Sequence, residues 1–220
     1  MKKNTRERIL DAAIKLFNQK GYGHVSLQDL AKELGMSRGN LSYHFPDKAD
    51  LLPGIVDKFA SRLKDYRLSK EPLPTFSNLR IDLRFYFELQ RDYKCILLDP
   101  YVLEHPAVSE TVKAFSKEAI RDFDAAIAFA LEIGTMKKEP YPGVYENLSI
   151  NTWMLMFLWY PREMVLGKRT FEEKEKATWC MLIPYFTEKG REALKNVLGE
   201  GYLNELGTDF RQKQTGTRII

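Results

Sequence analysis

Residues 26–52 constrain the fold of this chain more than any other stretch, because each boundary within them carries its own start or stop signal. Ser26 can cap a helix, and Asp29, three residues later, completes a capping box. Gly35 suits the left-handed conformation that ends a helix, and Ser37 can cap the next one. Two short helices joined by a glycine turn form a helix-turn-helix, whose second helix can enter the major groove of DNA.

Helical periodicity on both sides of this motif predicts an all-α protein. One helix is predicted over residues 4–19, and another from Asp47 towards the break at Pro72 and Pro74. Four long helices follow, over about residues 77–98, 107–133, 144–167 and 171–198. Pro161 is expected to kink the helix that contains it. The predicted architecture is a three-helix head with the helix-turn-helix, followed by a larger helical domain.

Composition describes a globular chain, with 44% hydrophobic and 29% charged residues. Its most apolar stretch, residues 153–160, is too short to span a bilayer, and no apolar signal segment follows the first residues. The two cysteines are too few for a disulfide framework or a cysteine-rich zinc site. We therefore expect a cytoplasmic protein with no membrane partner.

Positive charge is concentrated at one end of the chain. Residues 1–70 contain 14 Lys and Arg against 8 Asp and Glu, whereas the remainder has a small acidic excess. A basic end on a near-neutral body suggests that this end binds a polyanion.

The sequence offers little for catalysis. Its three histidines, His24, His44 and His105, are scattered along the chain. It has no metal-ligand spacing, no nucleophile elbow and no phosphate-binding glycine loop. We therefore expect no enzyme activity, no metal and no cofactor.

Several segments in the same order resemble the tetracycline-repressor (TetR/AcrR) family of bacterial one-component regulators. They are residues 8–13 (RILDAA), 16–17 (LF), 20–22 (KGY), 26–31 (SLQDLA), 34–41 (LGMSRGNL) and 44–48 (HFPDK). The resemblance implies a DNA-binding domain over residues 1–48 and a helical ligand-binding and dimerisation domain over residues 49–205. A tail over residues 206–220 is expected to be flexible.

The resemblance places the base-reading residues at the start of the second helix of the motif. Arg38 can pair with guanine and Asn40 with adenine, and Gly39 permits a close approach to the duplex. Gln28, near the start of the preceding helix, is a further candidate for a base contact.

The contacts to the DNA backbone are expected to come from residues around that helix. Ser26 and Ser37 place hydroxyl groups beside helix N-termini, although each would also cap a helix in any protein. Tyr43, His44 and Lys48 resemble family positions that hold the phosphates, although His44 could instead pack against the next helix. Two departures affect this set. Ser42, which is also a candidate DNA-binding residue, stands where the family usually has tyrosine, and Val25 stands where threonine is common.

For the body, the resemblance implies a homodimer formed through the two C-terminal helices, residues 144–167 and 171–198. A dimer would read a palindromic operator in double-stranded DNA, with half-sites about 34–36 Å apart. It also implies a small-molecule effector of unknown identity. Aromatic and methionine side chains suggest its pocket, although the same residues could form an ordinary core: Phe85, Tyr86, Tyr93, Trp153, Met156, Phe157 and Tyr160.

These features together predict a sequence-specific transcriptional regulator, more readily a repressor than an activator, that a ligand releases from its operator. The alternative is an architectural or non-specific DNA-binding helical dimer without an inducer.

Overall fold

The computed structural model describes residues 4–167 and 170–207, apart from the side chain of Leu166. These residues are overwhelmingly helical. They also contain an isolated β-bridge, which pairs Met136 with Phe186. The all-α prediction is confirmed. None of the described helices is both long and apolar enough to cross a membrane. The tail predicted over residues 206–220 lies outside the described residues from residue 208 onward.

Five helical segments precede the break at Pro72. They are α1 (Thr5–Lys20), a 3₁₀ turn (Tyr22–His24), α2 (Leu27–Leu34), α3 (Arg38–His44) and α4 (Leu51–Ser69). The remaining helices are α5 (Phe76–Asp92), α6 (Lys94–Leu97), α7 (Pro100–Leu103), α8 (Pro106–Glu132), α9 (Val144–Phe157), α10 (Trp159–Leu166), α11 (Phe171–Leu182), α12 (Glu188–Leu198) and α13 (Glu200–Asn204). A second 3₁₀ turn, Ile183–Tyr185, separates α11 from α12.

The described residues form two compact units. The first contains the chain up to Lys70 together with Glu88–Ser116, and the second contains Glu71–Phe87 together with the chain from Lys117 onward. The boundaries of these units differ from the predicted boundary between the DNA-binding and ligand-binding domains at residue 48. That division stays a prediction.

The core of the first unit fixes the position of the helix-turn-helix. α1 packs against α2 and α4, and α6 packs against both α1 and α4. Phe17, Phe45 and Phe59 are almost completely buried in this core. Burial of such a side chain contributes about 1.5–3 kcal/mol to the free energy of folding, so this core holds α2 and α3 in place.

The prediction that the fourth helix begins at Asp47 was wrong, since α4 begins at Leu51. Two contacts fold the intervening residues into turns. The backbone N–H of Asp47 donates to Asp50 Oδ2 at 2.8 Å. Lys48 Nζ donates to the carbonyl oxygen of Tyr22 at 2.9 Å.

The helix predicted over residues 77–98 is interrupted, because α5 ends at Asp92 and α6 begins at Lys94. The side chain of Asn18 stabilises this break. Its Nδ2 donates to the carbonyl oxygen of Asp92 at 2.7 Å, and its Oδ1 accepts from the backbone N–H of Cys95 at 3.0 Å.

Both predicted C-terminal helices are also divided. The first breaks at Leu158 between α9 and α10, which puts Pro161 in the first turn of α10, where its missing N–H costs no helical hydrogen bond. The interruption expected from Pro161 therefore lies three residues upstream of it. In the second, Pro184 lies in the 3₁₀ turn between α11 and α12.

A partly buried ion pair holds elements of the second unit together. The carboxylate of Glu175 is fully buried on α11 and accepts from Arg80 Nε at 2.6 Å and Nη2 at 3.2 Å. The hydroxyl of Tyr202 donates to Glu175 Oε2 at 3.0 Å. Burial, together with the Glu175 charge, raises the pKa of Tyr202, so this hydroxyl keeps its proton and α13 stays tied to α11.

Candidate nucleic-acid interface

Ser26 and Asp29 form the capping box that begins α2. The backbone N–H of Ser26 donates to Asp29 Oδ2 at 2.8 Å, and the backbone N–H of Asp29 donates to Ser26 Oγ at 3.2 Å. Hydrogen bonds from Ser26 lower the pKa of Asp29, which keeps its carboxylate ionised. Gln28 is exposed in the same turn. The predicted cap is confirmed, and a phosphate contact by Ser26 would have to share a hydroxyl that already bonds to Asp29.

The turn between α2 and α3 has the geometry that its sequence predicts. Gly35 adopts the left-handed conformation, with φ 64° and ψ 31°. The backbone N–H of Met36 donates to the carbonyl oxygen of Ala31 at 3.0 Å. Ser37 Oγ accepts from the backbone N–H of Asn40 at 3.1 Å, which caps α3. Because Ser37 Oγ acts as an acceptor here, its own proton is available to a phosphate oxygen.

α3 buries one face and exposes the other. Leu41 is fully buried and anchors the helix in the core of the first unit, whereas Arg38, Gly39 and Asn40 are exposed in the first turn. A Cβ atom on Gly39 would meet no protein atom within 4 Å. Packing within the protein therefore gives no reason for glycine at this position, which fits its predicted role in close approach to DNA.

Ser42 holds the side chain of Arg38 along α3. Arg38 Nε donates to Ser42 Oγ at 3.1 Å, one helical turn away. This contact occupies the Nε–H group and leaves both terminal amino groups of Arg38 for an acceptor outside the protein. Ser42 was predicted as a DNA-binding position that departs from the family pattern, and its contact with Arg38 was not foreseen.

The predicted backbone-binding residues differ in their surroundings. Tyr43 is 83% exposed, and its ring lies edge-on to that of His44, with centroids 5.4 Å apart. Lys48 is half-buried, because Nζ lies 4.1 Å from the ring centroid of Tyr22 and donates to its carbonyl oxygen. Tyr43 is therefore free to meet a phosphate as it stands, whereas Lys48 already stabilises the loop before α4.

Arg6 is an exposed residue that sequence reasoning missed. Its guanidinium carbon lies 4.5 Å from the ring centroid of Phe45, the residue that follows α3 as its C-cap. The contact places a positive charge at the end of the helix-turn-helix. No local pattern could indicate it, because the two residues are far apart in sequence.

The predicted ligand-binding residues fall in both units. Tyr93 belongs to the first unit, where it is buried with its ring 5.5 Å from that of Phe59. The other six belong to the second unit. Among them, Trp153 and Phe157 stack with ring centroids 5.0 Å apart, and the hydroxyl of Tyr86 donates to Asp122 at 3.1 Å. The ring centroid of Phe85 lies 5.8 Å from that of Tyr86. Met156 is buried, and Tyr160 is half-buried.

A helix-turn-helix with an exposed, capped second helix, followed by a helical unit, defines a DNA-binding regulator of transcription. Family models match most of the chain. Residues 9–55 match the model described as bacterial regulatory proteins of the tetR family, and residues 59–194 match the model described as a bacterial transcriptional repressor. The chain belongs to the TetR family of transcriptional regulators.

Individual relatives are similar over parts of the chain. The regulator AcrR of Shigella flexneri is 41% identical over 64 residues, which are 29% of this chain and 30% of AcrR. The chain spans about half or less of the length of the curated relatives it matches.

Solved structures share the fold over more of the chain. A TetR-family regulator from Marinobacter aquaeolei VT8 has a TM-score of 0.79 at 22% identity, covering 91% of this chain and 99% of its own. AibR, solved in complex with isovaleryl coenzyme A and operator DNA, has a TM-score of 0.64 at 20% identity, covering 83% of this chain and 100% of its own.

Proposed function

We propose that the chain is a homodimeric repressor that binds a palindromic operator and is released from it by a small molecule. The observation that carries the DNA-binding part is the geometry of α3. Its cap and its buried Leu41 fix the helix, and Arg38, Asn40 and Tyr43 point away from the core into solvent.

In this proposal Arg38 and Asn40 contact bases and Gln28 adds a further base contact. Gly39 permits the close approach of α3 to the duplex. The contacts to phosphates come from Ser26, Ser37, Tyr43, His44 and Lys48. These contacts fix the position of α3 on the duplex, and the base contacts supply sequence preference. Ser42 acts by holding Arg38 in place. The protein acts in the cytoplasm, where operator DNA is found.

Release by a ligand requires that the ligand bind one conformation of the protein more tightly than another. The conformation it favours would set the two recognition helices at a spacing that no longer matches successive major grooves. The solved complex of AibR with isovaleryl coenzyme A and operator DNA supports both binding activities for a protein of this fold.

The experiment that tests this proposal is selection of genomic fragments by the purified protein, followed by footprinting on the selected fragments. We expect a short protected palindrome, and weaker operator binding after addition of the effective fraction of a cell-metabolite extract. Uniform protection without a palindrome would favour the architectural alternative. A palindrome whose affinity no metabolite fraction changes would remove ligand control.

Dimerisation through the C-terminal helices has a matching surface on α9 and α10. Four apolar side chains there are between 41% and 81% exposed: Met154, Leu158, Met164 and Val165. Scattered apolar residues are normal on a surface, but four along α9, α10 and the break between them favour an interface.

Replacing Val165 with glutamate is therefore expected to shift the protein from dimer to monomer, because a buried, unpaired charge opposes association. Sedimentation velocity over a range of protein concentrations measures the shift. Tyr141→Glu, at another exposed position of the second unit, is the control and should remain dimeric. An unchanged dimer in Val165→Glu would place the interface elsewhere.

A further inference from the structure

Three aromatic rings meet in the second unit. The ring of Phe87, on α5, has its centroid 6.4 Å from that of Trp159 and 6.1 Å from that of Phe171. The three rings come from α5, α10 and α11, so they join three separate helices.

Basic side chains lie against these rings. The guanidinium carbon of Arg84 is 4.2 Å from the ring centroid of Phe171. The guanidinium carbon of Arg162 is 5.2 Å from the ring centroid of Trp159. Such contacts are attractive because the face of an aromatic ring carries partial negative charge.

A third cation, Lys174, lies 5.6 Å from the ring centroid of Phe87 and forms an ion pair with Glu163 at 2.7 Å. Lys174 is thus paired with a carboxylate, whereas Arg84 and Arg162 lie against aromatic rings. We call this group the cationic aromatic cluster, and its members are Arg84, Phe87, Trp159, Arg162, Phe171 and Lys174.

Two hydrogen-bond donors in the cluster have no acceptor among the described residues. They are Trp159 Nε1 and Arg162 Nη1, and both atoms are buried. Trp159 as a whole is only 4% exposed, so bulk water does not satisfy its indole N–H. A buried donor without an acceptor costs free energy, and native proteins generally supply a partner.

Buried polar atoms without a partner also occur on α9. Ser149 Oγ and Trp153 Nε1 are buried, lie one helical turn apart, and have no hydrogen-bond partner in the part of the chain that the structure describes. The second unit therefore contains buried N–H donors without an acceptor among the described residues, at Trp153, Trp159 and Arg162.

We propose that the cationic aromatic cluster binds an amphipathic carboxylate, and that this carboxylate is the effector. The carboxylate oxygens accept from Arg162 Nη1 and Trp159 Nε1, and the apolar body of the ligand packs against Phe87 and Phe171. Arginine suits a carboxylate because its planar donors match two oxygens, whereas a cationic ligand would be repelled by Arg84 and Arg162. The assignment of effector rests on the proposed ligand-released function.

The test is direct binding of a matched panel to the full chain without DNA, measured by calorimetry and by tryptophan fluorescence. The panel contains straight-chain and phenyl-substituted carboxylates of increasing length, each with the alcohol and the amine of the same body. We expect at least one carboxylate to bind about tenfold or more tightly than its alcohol, because a charged hydrogen bond is lost in the alcohol. Amines should bind least.

Arg162→Met should weaken binding of that carboxylate by about tenfold or more and leave the alcohol unchanged. Arg121→Met is the matched control, since the Arg121 side chain is 73% exposed in the same unit. Trp159→Phe, which removes the N–H and keeps an aromatic ring, provides a second variant if Arg162→Met does not fold. The proposal is overturned if no carboxylate binds, if alcohols bind as tightly as carboxylates, or if the folded variants bind like the control.

These outcomes separate the ligand chemistry from the regulatory function. If carboxylates bind at the cluster and operator affinity does not change, the site stands, and its assignment as the effector site is overturned. If metabolites release the operator and no carboxylate binds, ligand control stands and this inference is wrong.

Discussion

Replacing Arg38 with alanine is expected to weaken operator binding by about 30-fold or more. A bidentate contact from arginine to guanine contributes about 1–3 kcal/mol, and a dimer makes the contact twice. The structure supports this assignment because Arg38 is exposed at the start of α3, with its Nε held by Ser42.

Fluorescence anisotropy titrations against the selected operator measure this loss, and operator variants changed at one base pair at a time locate it. Arg38→Ala should abolish preference at one position in each half-site. Arg121→Ala removes an exposed arginine from the second unit and should bind as the parent protein does. If Arg38→Ala keeps the full base preference, Arg38 binds phosphate or nothing, and Asn40 and Gln28 become the leading readers.

Ser42→Ala separates positioning from contact in the same assay. It removes the restraint on Arg38 and leaves the guanidinium group in place. Because a polar pair at this helical spacing contributes about 0.2–0.5 kcal/mol, the two copies in a dimer should cost roughly two- to fivefold in affinity. A loss as large as that of Arg38→Ala would indicate that Ser42 itself touches DNA.

Features that depend on residues three or four positions apart could be predicted from the sequence. The Ser26–Asp29 capping box, the left-handed Gly35 and the Ser37 cap each depend on hydrogen bonds within one helical turn. The exposed and buried faces of α3 follow from the same local periodicity. The motif was therefore predicted correctly, whereas the DNA-binding roles of the residues that surround it stay a prediction.

Helix boundaries that depend on contacts with residues distant in sequence could not be predicted. α4 begins late because Lys48 reaches back to Tyr22, and α5 ends early because Asn18 holds the backbone around Asp92. Both contacts join residues widely separated in sequence, so helical periodicity simply continues through the break. Tertiary hydrogen bonds of this kind override local propensity without leaving a local mark.

The ligand-binding candidates show the same limit. The sequence selected aromatic residues by their density along the central helices, but density does not say which rings meet. Tyr93 is part of the first unit, whereas Phe87 and Phe171, which the sequence did not select, pack together with Trp159 in the second. Unpartnered donors such as Trp159 Nε1 are also invisible until the surrounding side chains are placed.

The second large effect is expected from replacing Gly190 with alanine, which should lower the free energy of unfolding by about 3 kcal/mol. Gly190 is buried in the first turn of α12, against the residues that follow α8. A Cβ atom there would overlap the carbonyl oxygen of Thr135 and lie 2.9 Å from its carbon. The oxygen is already fixed, because it accepts from the backbone N–H of Thr187 at 3.0 Å.

Because the obstacle is backbone, α12 must move away to relieve the overlap. Such a movement breaks the bonds from Thr187 to Thr135 and from Thr187 Oγ1 to the carbonyl oxygen of Gly134. For a chain of this size the predicted loss lowers the melting temperature by roughly 10 °C, measurable by circular dichroism. Gly201→Ala is the control, since a Cβ atom there meets nothing within 4 Å and alanine favours a helix. If the two variants melt together, α12 does not depend on close contact with Thr135, and the path of the chain between α8 and α12 must differ from the one described.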